Sequence, residues 1–229
     1  MAFTYGEKLK FKIAYGIIDA GYAELEVKPT RKKSDKKYYH IIGKGYSNYA
    51  FDWFFKIRDR YESVIDSSTL NPVEFIREVN EGNTSFKQNY HFDQPNQTVY
   101  DGEKEIATPK NIQDMVSCYF YARNLDLKNL KKGDILSFPT FVDGETYELK
   151  CKYLGEDIVE ISAGKFNALK FCPVVQKGRI FDSEESLTVW ISNDYNKIPL
   201  LVKAKILFGS LRMELIEMNG ELNPLSLLE

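Results

Sequence analysis

The chain has 229 residues, 43% of them hydrophobic, and a formal net charge of -2 from 31 basic and 33 acidic side chains. That length allows a sizeable core, and the charge balance offers no electrostatic footprint for nucleic acid. No apolar run reaches the ~20 residues of a transmembrane helix, and three cysteines (Cys118, Cys151 and Cys172) are too few for a disulfide scaffold.

Residues 8–15 alternate, with Leu9, Phe11, Ile13 and Tyr15 on one face and Lys8, Lys10 and Lys12 on the other. Beyond residues 16–21 the alternation resumes, with Ala23, Leu25 and Val27 against Glu24, Glu26 and Lys28. Folding the two runs about Ile18 predicts a hairpin with Lys12 opposite Glu24, Lys10 opposite Glu26 and Phe11 opposite Leu25. The charge pairs set register, because a one-residue slip would drive lysines into the core. The basic run Arg31-Lys32-Lys33 with Lys36 and Lys37, broken by Ser34 and Asp35, reads as a solvated hairpin tip.

A strand is predicted at 37–46, then an aromatic cluster over 49–55 with short-helix character, then a strand at 57–65. Residues 72–79 and 85–92 read as a hairpin around Asn80-Glu81-Gly82-Asn83. A short strand at 98–100 ends at the turn dipeptide Asp101-Gly102. One substantial helix is predicted over about 111–123, because Ile112, Met115, Val116, Tyr119 and Phe120 fall at helical spacing. Thr108-Pro109 or Asn111 supplies its start, and Asp114 lies in its first turn.

Strands follow at 135–142, 146–154, 157–162 and 166–175, joined by Asp143-Gly144, Gly155-Glu156 and Ala163-Gly164. Cys151 shares an apolar face with Tyr147, Leu149 and Tyr153 and reads as a buried thiol. In the last third, Leu187, Val189 and Ile191 alternate with Thr188, Trp190 and Ser192. Asn193, Asp194 and Asn196 then form a turn, and two more strands split at Gly209-Ser210. Strands about ten residues apart, joined by Gly- and Asp-bearing turns, predict an all-β, mainly antiparallel fold. Its sheet is strongly curved, barrel-like or sandwich-like. Residues 3–220 read as a single domain, an internal seam near 125 being the alternative, and 221–229 as a C-terminal tail.

The landmarks also carry a resemblance. Gly6-Glu7-Lys8-Leu9, Tyr15-Gly16 and Ala20-Gly21 come first. Phe51-Asp52-Trp53-Phe54 and Arg58-Asp59-Arg60-Tyr61-Glu62-Ser63 follow. Later come Ala163-Gly164-Lys165-Phe166, Val189-Trp190-Ile191-Ser192, Lys197-Ile198-Pro199 and Gly209-Ser210. In this order they resemble an uncharacterised bacterial family, domain of unknown function 3108, across nearly the whole chain. The resemblance implies a secreted, periplasmic or cell-envelope all-β protein and carries over no activity, cofactor or catalytic residue. The opening residues read as a strand-like segment and not as a signal peptide, which fits either a cytoplasmic protein or a mature chain whose leader has been removed, and the resemblance favours the second.

No catalytic residue, metal site or cofactor is predicted. His40 and His91 sit in separate strand runs, and no phosphate loop or nucleophile elbow occurs. Aromatic residues, at 14%, are the excess. Trp53, Phe54, Tyr61 and Trp190 are the candidate walls of a site for an apolar or amphipathic ligand, a lipid or lipid-linked glycan. The leading expectation is therefore non-enzymatic binding in the envelope. Two alternatives stand beside it. One is an interaction or assembly module that docks an envelope partner through residues 51–55. The other is a carbohydrate-active hydrolase using Asp52, Asp59 or Glu62 as paired carboxylates.

Overall fold

The structure is a computed structural model that describes residues 1–30, 37–174, 186–207 and 209–228. Its first half is a meander. It runs β1 (Lys8–Tyr15), β2 (Ile18–Pro29), β3 (Tyr38–Ser47), β4 (Arg58–Asp66), β5 (Pro72–Glu81), β6 (Thr84–Asp93), β7 (Thr98–Tyr100) and β8 (Glu105–Ala107), with a short helix α1 (Tyr49–Asp52) between β3 and β4. Helix α2 (Ser117–Ala122) leads to a second meander. That one runs β9 (Ile135–Val142), β10 (Glu145–Ile161), β11 (Gly164–Pro173), β12 (Leu187–Ser192), β13 (Pro199–Ile206) and β14 (Gly209–Asn219), and β15 (Leu227–Leu228) closes the described chain.

The two meanders fuse into one antiparallel 15-stranded sheet, because β1 pairs with β14 as well as with β2. The strand order is β8-β7-β6-β5-β4-β3-β2-β1-β14-β13-β12-β11-β10-β9, with β15 added onto β11. A sheet this long must curl. Here its two ends approach one another. Gln113 bridges to Thr140 of β9, and Phe141 of β9 packs its ring edge-on to Tyr90 of β6 at 5.0 Å. Arg77 of β5 reaches Asp143, beyond β9, at 2.9 Å. Phe3, Phe11, Phe75, Phe120, Phe141 and Phe166 are fully buried, in separate clusters along the sheet.

Strand direction sorts the connections. The β1–β2, β3–β4, β5–β6 and β13–β14 turns emerge at one end of the sheet, while the N-terminal segment and the β12–β13 loop lie at the other. At that second end Arg123, just past α2, is fully buried. It donates to both carboxylate oxygens of Glu7 at 2.6 and 2.7 Å, to the Asn196 carbonyl at 2.8 Å and to the Ala2 carbonyl at 3.1 Å. One guanidinium thus ties together three chain segments distant in sequence.

Several sequence expectations are corrected. The substantial helix over 111–123 is a single short helix, Ser117–Ala122. Asn111 takes a left-handed φ of 58°, and Gln113 is drawn into β pairing by bonds to Pro139 and Phe141. The helix is started instead by Asp114, whose carboxylate accepts the N–H groups of Val116 and Ser117 at 2.7 and 2.8 Å. Ile112 and Phe120 are buried as expected, but Met115 is exposed.

The first hairpin keeps the expected faces with a register two residues away. A Gly16-Ile17 turn and a bulge between Ile13 and Ala14 set Lys10 opposite Glu24, Lys8 opposite Glu26 and Leu9 opposite Leu25. Gly155 is not a turn. It has φ of 107° and makes a bulge within the 17-residue β10. The basic run at 31–36 lies outside the described residues. Near the end of the described chain Ser226 donates to Asp194 at 2.8 Å and Leu227 pairs with Phe166.

Candidate functional site

The β3–β4 connection combines a polar base with an apolar crest. Asn48 caps α1, its side chain accepting the Phe51 N–H at 2.8 Å. It also fastens the loop to β2, donating from its backbone to Ala20 at 2.9 Å and from its side chain to Asp19 at 2.5 Å. Asp52 receives Arg58 through two bonds of 2.6 and 3.0 Å and the Ser47 hydroxyl as well. Those donors, Arg58 first, hold the Asp52 carboxyl below its ordinary range. Phe54 and Phe55 both donate to the Phe51 carbonyl at 2.9 Å.

With its backbone so committed, the loop presents rings to solvent. Tyr49 is 94% exposed, Trp53 85% and Phe54 70%. Trp53 and Phe54 meet edge to face at 6.2 Å, and Phe54 meets Phe51 at 5.5 Å. Phe55 lies across Gly82 in the β5–β6 turn. On the other flank the β1–β2 turn carries a fully exposed Ile17 and a half-exposed Ile18. That turn is bonded to the next hairpin, Gly16 donating to Ser210 at 2.9 Å, and the β13–β14 turn exposes Leu207.

The four turns join eight strands that are consecutive in the sheet, from β13 to β6. At about 4.8 Å per strand the row extends roughly 30 Å. Lys56, exposed beside the rings, has no ion-pair partner among the described residues. Cross-strand adjacency assembles this rim, so Ile17, Ile18 and Leu207 could not be grouped with Trp53 from sequence. Their signal was bulky apolar side chains at turns.

The other candidates lie elsewhere. Tyr61, partly buried on β4, packs with Phe75 and Tyr90 beneath the Arg77 guanidinium at 5.7 Å. Trp190 is buried, and its indole donates to Asp157 at 2.9 Å. The Lys170 and Lys203 ammonium groups lie 5.0 and 5.5 Å from its ring centroid. Trp53 and Phe54 therefore share a surface, while Tyr61 and Trp190 are separate packing residues.

The acids are likewise dispersed. Asp59 is buried and accepts the Asn80 N–H at 2.9 Å. Glu62, three residues on and so on the opposite face of β4, accepts from Arg60 at 2.6 Å and meets His40 at 2.6 Å. Burial pushes the Glu62 carboxyl up, but Arg60 and His40 outweigh it and hold it low. Asp52 is spent on the loop base. Each of the three acids is thus engaged by a different partner: Arg58 for Asp52, the Asn80 N–H for Asp59, and Arg60 with His40 for Glu62. Among the described residues no group of three or more His, Cys, Asp or Glu could hold a metal ion, and no helix is long and apolar enough to cross a membrane.

One continuous antiparallel sheet curled so that its ends approach defines a β-barrel-like protein. The chain belongs to the family described as "Protein of unknown function (DUF3108)", whose model matches residues 10–216. No curated protein matches it. Among solved structures it is similar to a beta-barrel-like protein of domain of unknown function DUF1849 from Brucella abortus. The TM-score is 0.56 at 8% identity, covering 96% of this chain and 99% of that one. A DUF1089 family protein from Pseudomonas aeruginosa also matches, with a TM-score of 0.41 at 8% identity, covering 78% of this chain and 87% of that one.

Proposed function

We propose that this protein is a non-enzymatic binding module of the cell envelope that seats its aromatic rim in the interface of an anionic lipid bilayer. The observation that carries this reading is the exposure of Trp53 and Phe54 at the crest of a row of apolar turn residues. Tryptophan and tyrosine favour the lipid headgroup boundary, where an apolar ring and a polar edge are both satisfied. Burying the two crest rings removes roughly 300 Å² from water, on the order of 7 kcal/mol before ordering costs. Lys56 adds a cation at the same level, and a lysine near an anionic surface contributes about 1 kcal/mol.

The test is co-sedimentation with phosphatidylcholine vesicles, with and without phosphatidylglycerol. The wild type should bind, more strongly with phosphatidylglycerol, and the Trp53→Ala/Phe54→Ala variant should lose at least tenfold in partitioning. Equal sedimentation of both proteins would overturn the proposal. So would absence of lipid binding by a wild type that self-associates through the rim.

A further inference from the structure

Toward the end of the sheet opposite the rim lies a half-open cleft of about 470 Å³ between residues 123–130, the middle of β10 and β11, and the β12–β13 loop. Its wall is apolar where Leu127 and Leu130 pack onto the cluster of Tyr153, Leu169 and Phe171. The backbone of the 125–134 segment is strapped to β10, Gly133 donating to Tyr153 and Tyr153 to Asp134, both at 2.8 Å. The apolar wall is thus supported from beneath.

Lys197 also lines the cleft. It sits in the β12–β13 loop with a left-handed φ of 48°. Asp194 accepts its N–H at 3.2 Å, and its carbonyl accepts the Tyr119 hydroxyl at 3.2 Å, so the backbone is fixed. The ammonium has no ion-pair partner among the described residues. The carboxylates near it are committed elsewhere. Asp194 already accepts from Ser192, Asn196, Lys197 and Ser226, and Asp126 accepts the Lys128 N–H at 3.1 Å. Behind it, Arg123 is closed off by Glu7.

A partly buried cation carried on a fixed backbone beside an apolar wall matches a particular chemistry, a head with one negative charge and a hydrocarbon tail. We infer that this cleft binds a small amphiphilic acid of the fatty-acid class, its carboxylate on Lys197 and its tail against Leu127 and Leu130. The site is separate from the rim, and the inference does not rest on the lipid-surface reading.

Burial and then Arg123 push the Lys197 ammonium below its ordinary range. Asp126 and Asp194 oppose that shift, and Lys128 adds to it. Glu156 and the Met1 amino group are the remaining charged groups on the cleft wall. A bound carboxylate favours the protonated lysine, so affinity should fall as pH rises through that depressed value.

The test is calorimetric titration with dodecanoate below its micellar concentration, using dodecanol and acetate as single-feature controls. One dodecanoate should bind per chain, with dodecanol and acetate each at least tenfold weaker. Lys197→Met should lose tenfold or more and Lys197→Arg should retain binding. Leu127→Trp, which fills the apolar side without changing charge, should abolish it even if Lys197→Met fails to fold. Trp53→Ala/Phe54→Ala should bind dodecanoate normally, which separates this site from the rim. Three results would overturn the inference: no saturable dodecanoate binding, equal binding of dodecanol, or loss of binding in the rim variant alone.

Discussion

The Phe55 ring lies against the backbone of Gly82, so closely that a β-carbon at position 82 would fall 2.8 Å from Cε2. Gly82 has φ of 56° and donates its N–H to the Lys56 carbonyl at 2.8 Å. The contact couples the aromatic loop to the β5–β6 turn. Gly82→Ala should cost about 1–2 kcal/mol through the left-handed backbone alone. It should also lift Phe55 and raise amide exchange over residues 53–56. Unchanged exchange there would mean that the two turns are independent.

Asp52 and Arg58 hold the base of the same loop. Asp52→Asn keeps the shape and removes the charge that Arg58 meets at 2.6 Å. The pair sits at the base of one surface loop with Arg58 largely open to water, so the expected effect is local. Amide exchange over 49–57 should rise with little change in the global unfolding midpoint. A large drop in that midpoint would contradict a purely local role.

The buried pair Arg123–Glu7 predicts a larger effect. Replacing Arg123 by Met strands the Glu7 carboxylate and the Asn196 and Ala2 carbonyls in the interior. Loss of one partner from such a pair costs about 3–5 kcal/mol. The Glu7→Gln/Arg123→Met double variant should be less destabilised than the two single losses summed. Denaturant midpoints read both, and strict additivity would contradict the coupling.

Asp114 sets a pH dependence. Burial pushes its carboxyl up to about 6, against the pull of the Ser63 hydroxyl and the N–H groups of Ser117 and Val116. In the unfolded chain it ionises near 3.8. Below that pH both states hold the proton. Between about 4 and 6 only the folded state does, so this group's contribution declines with rising pH and levels off above 6. The total is about 3 kcal/mol. Asp114→Asn, which can keep the N–H acceptor, should lack this slope when denaturant midpoints are compared from pH 4 to 7. Parallel curves would show that Asp114 does not titrate there.

Local periodicity revealed the strands and nearly all of their order along the chain, because two-residue alternation depends only on neighbouring side chains. It could not reveal what distant pairing decides. The helical spacing of Ile112, Val116 and Phe120 is real, yet Gln113 is captured by β9, a partner more than twenty residues away. Gly155 has the composition of a turn, and only its neighbour β11 shows it to be a bulge. At the rim, Trp53 and Phe54 stood out as a cluster in the chain. Trp190 looked equivalent because its strand neighbours Thr188 and Ser192 are polar, and the lysines that cover it come from other strands.

Trp53 itself offers the most direct test, since the chain has only two tryptophans. In a Trp190→Phe background its emission reports one ring. Titration with phosphatidylglycerol-containing vesicles should shift that emission to shorter wavelength, and lipids brominated near the headgroup should quench it. An emission that stays water-like and unquenched at saturating lipid would contradict the account.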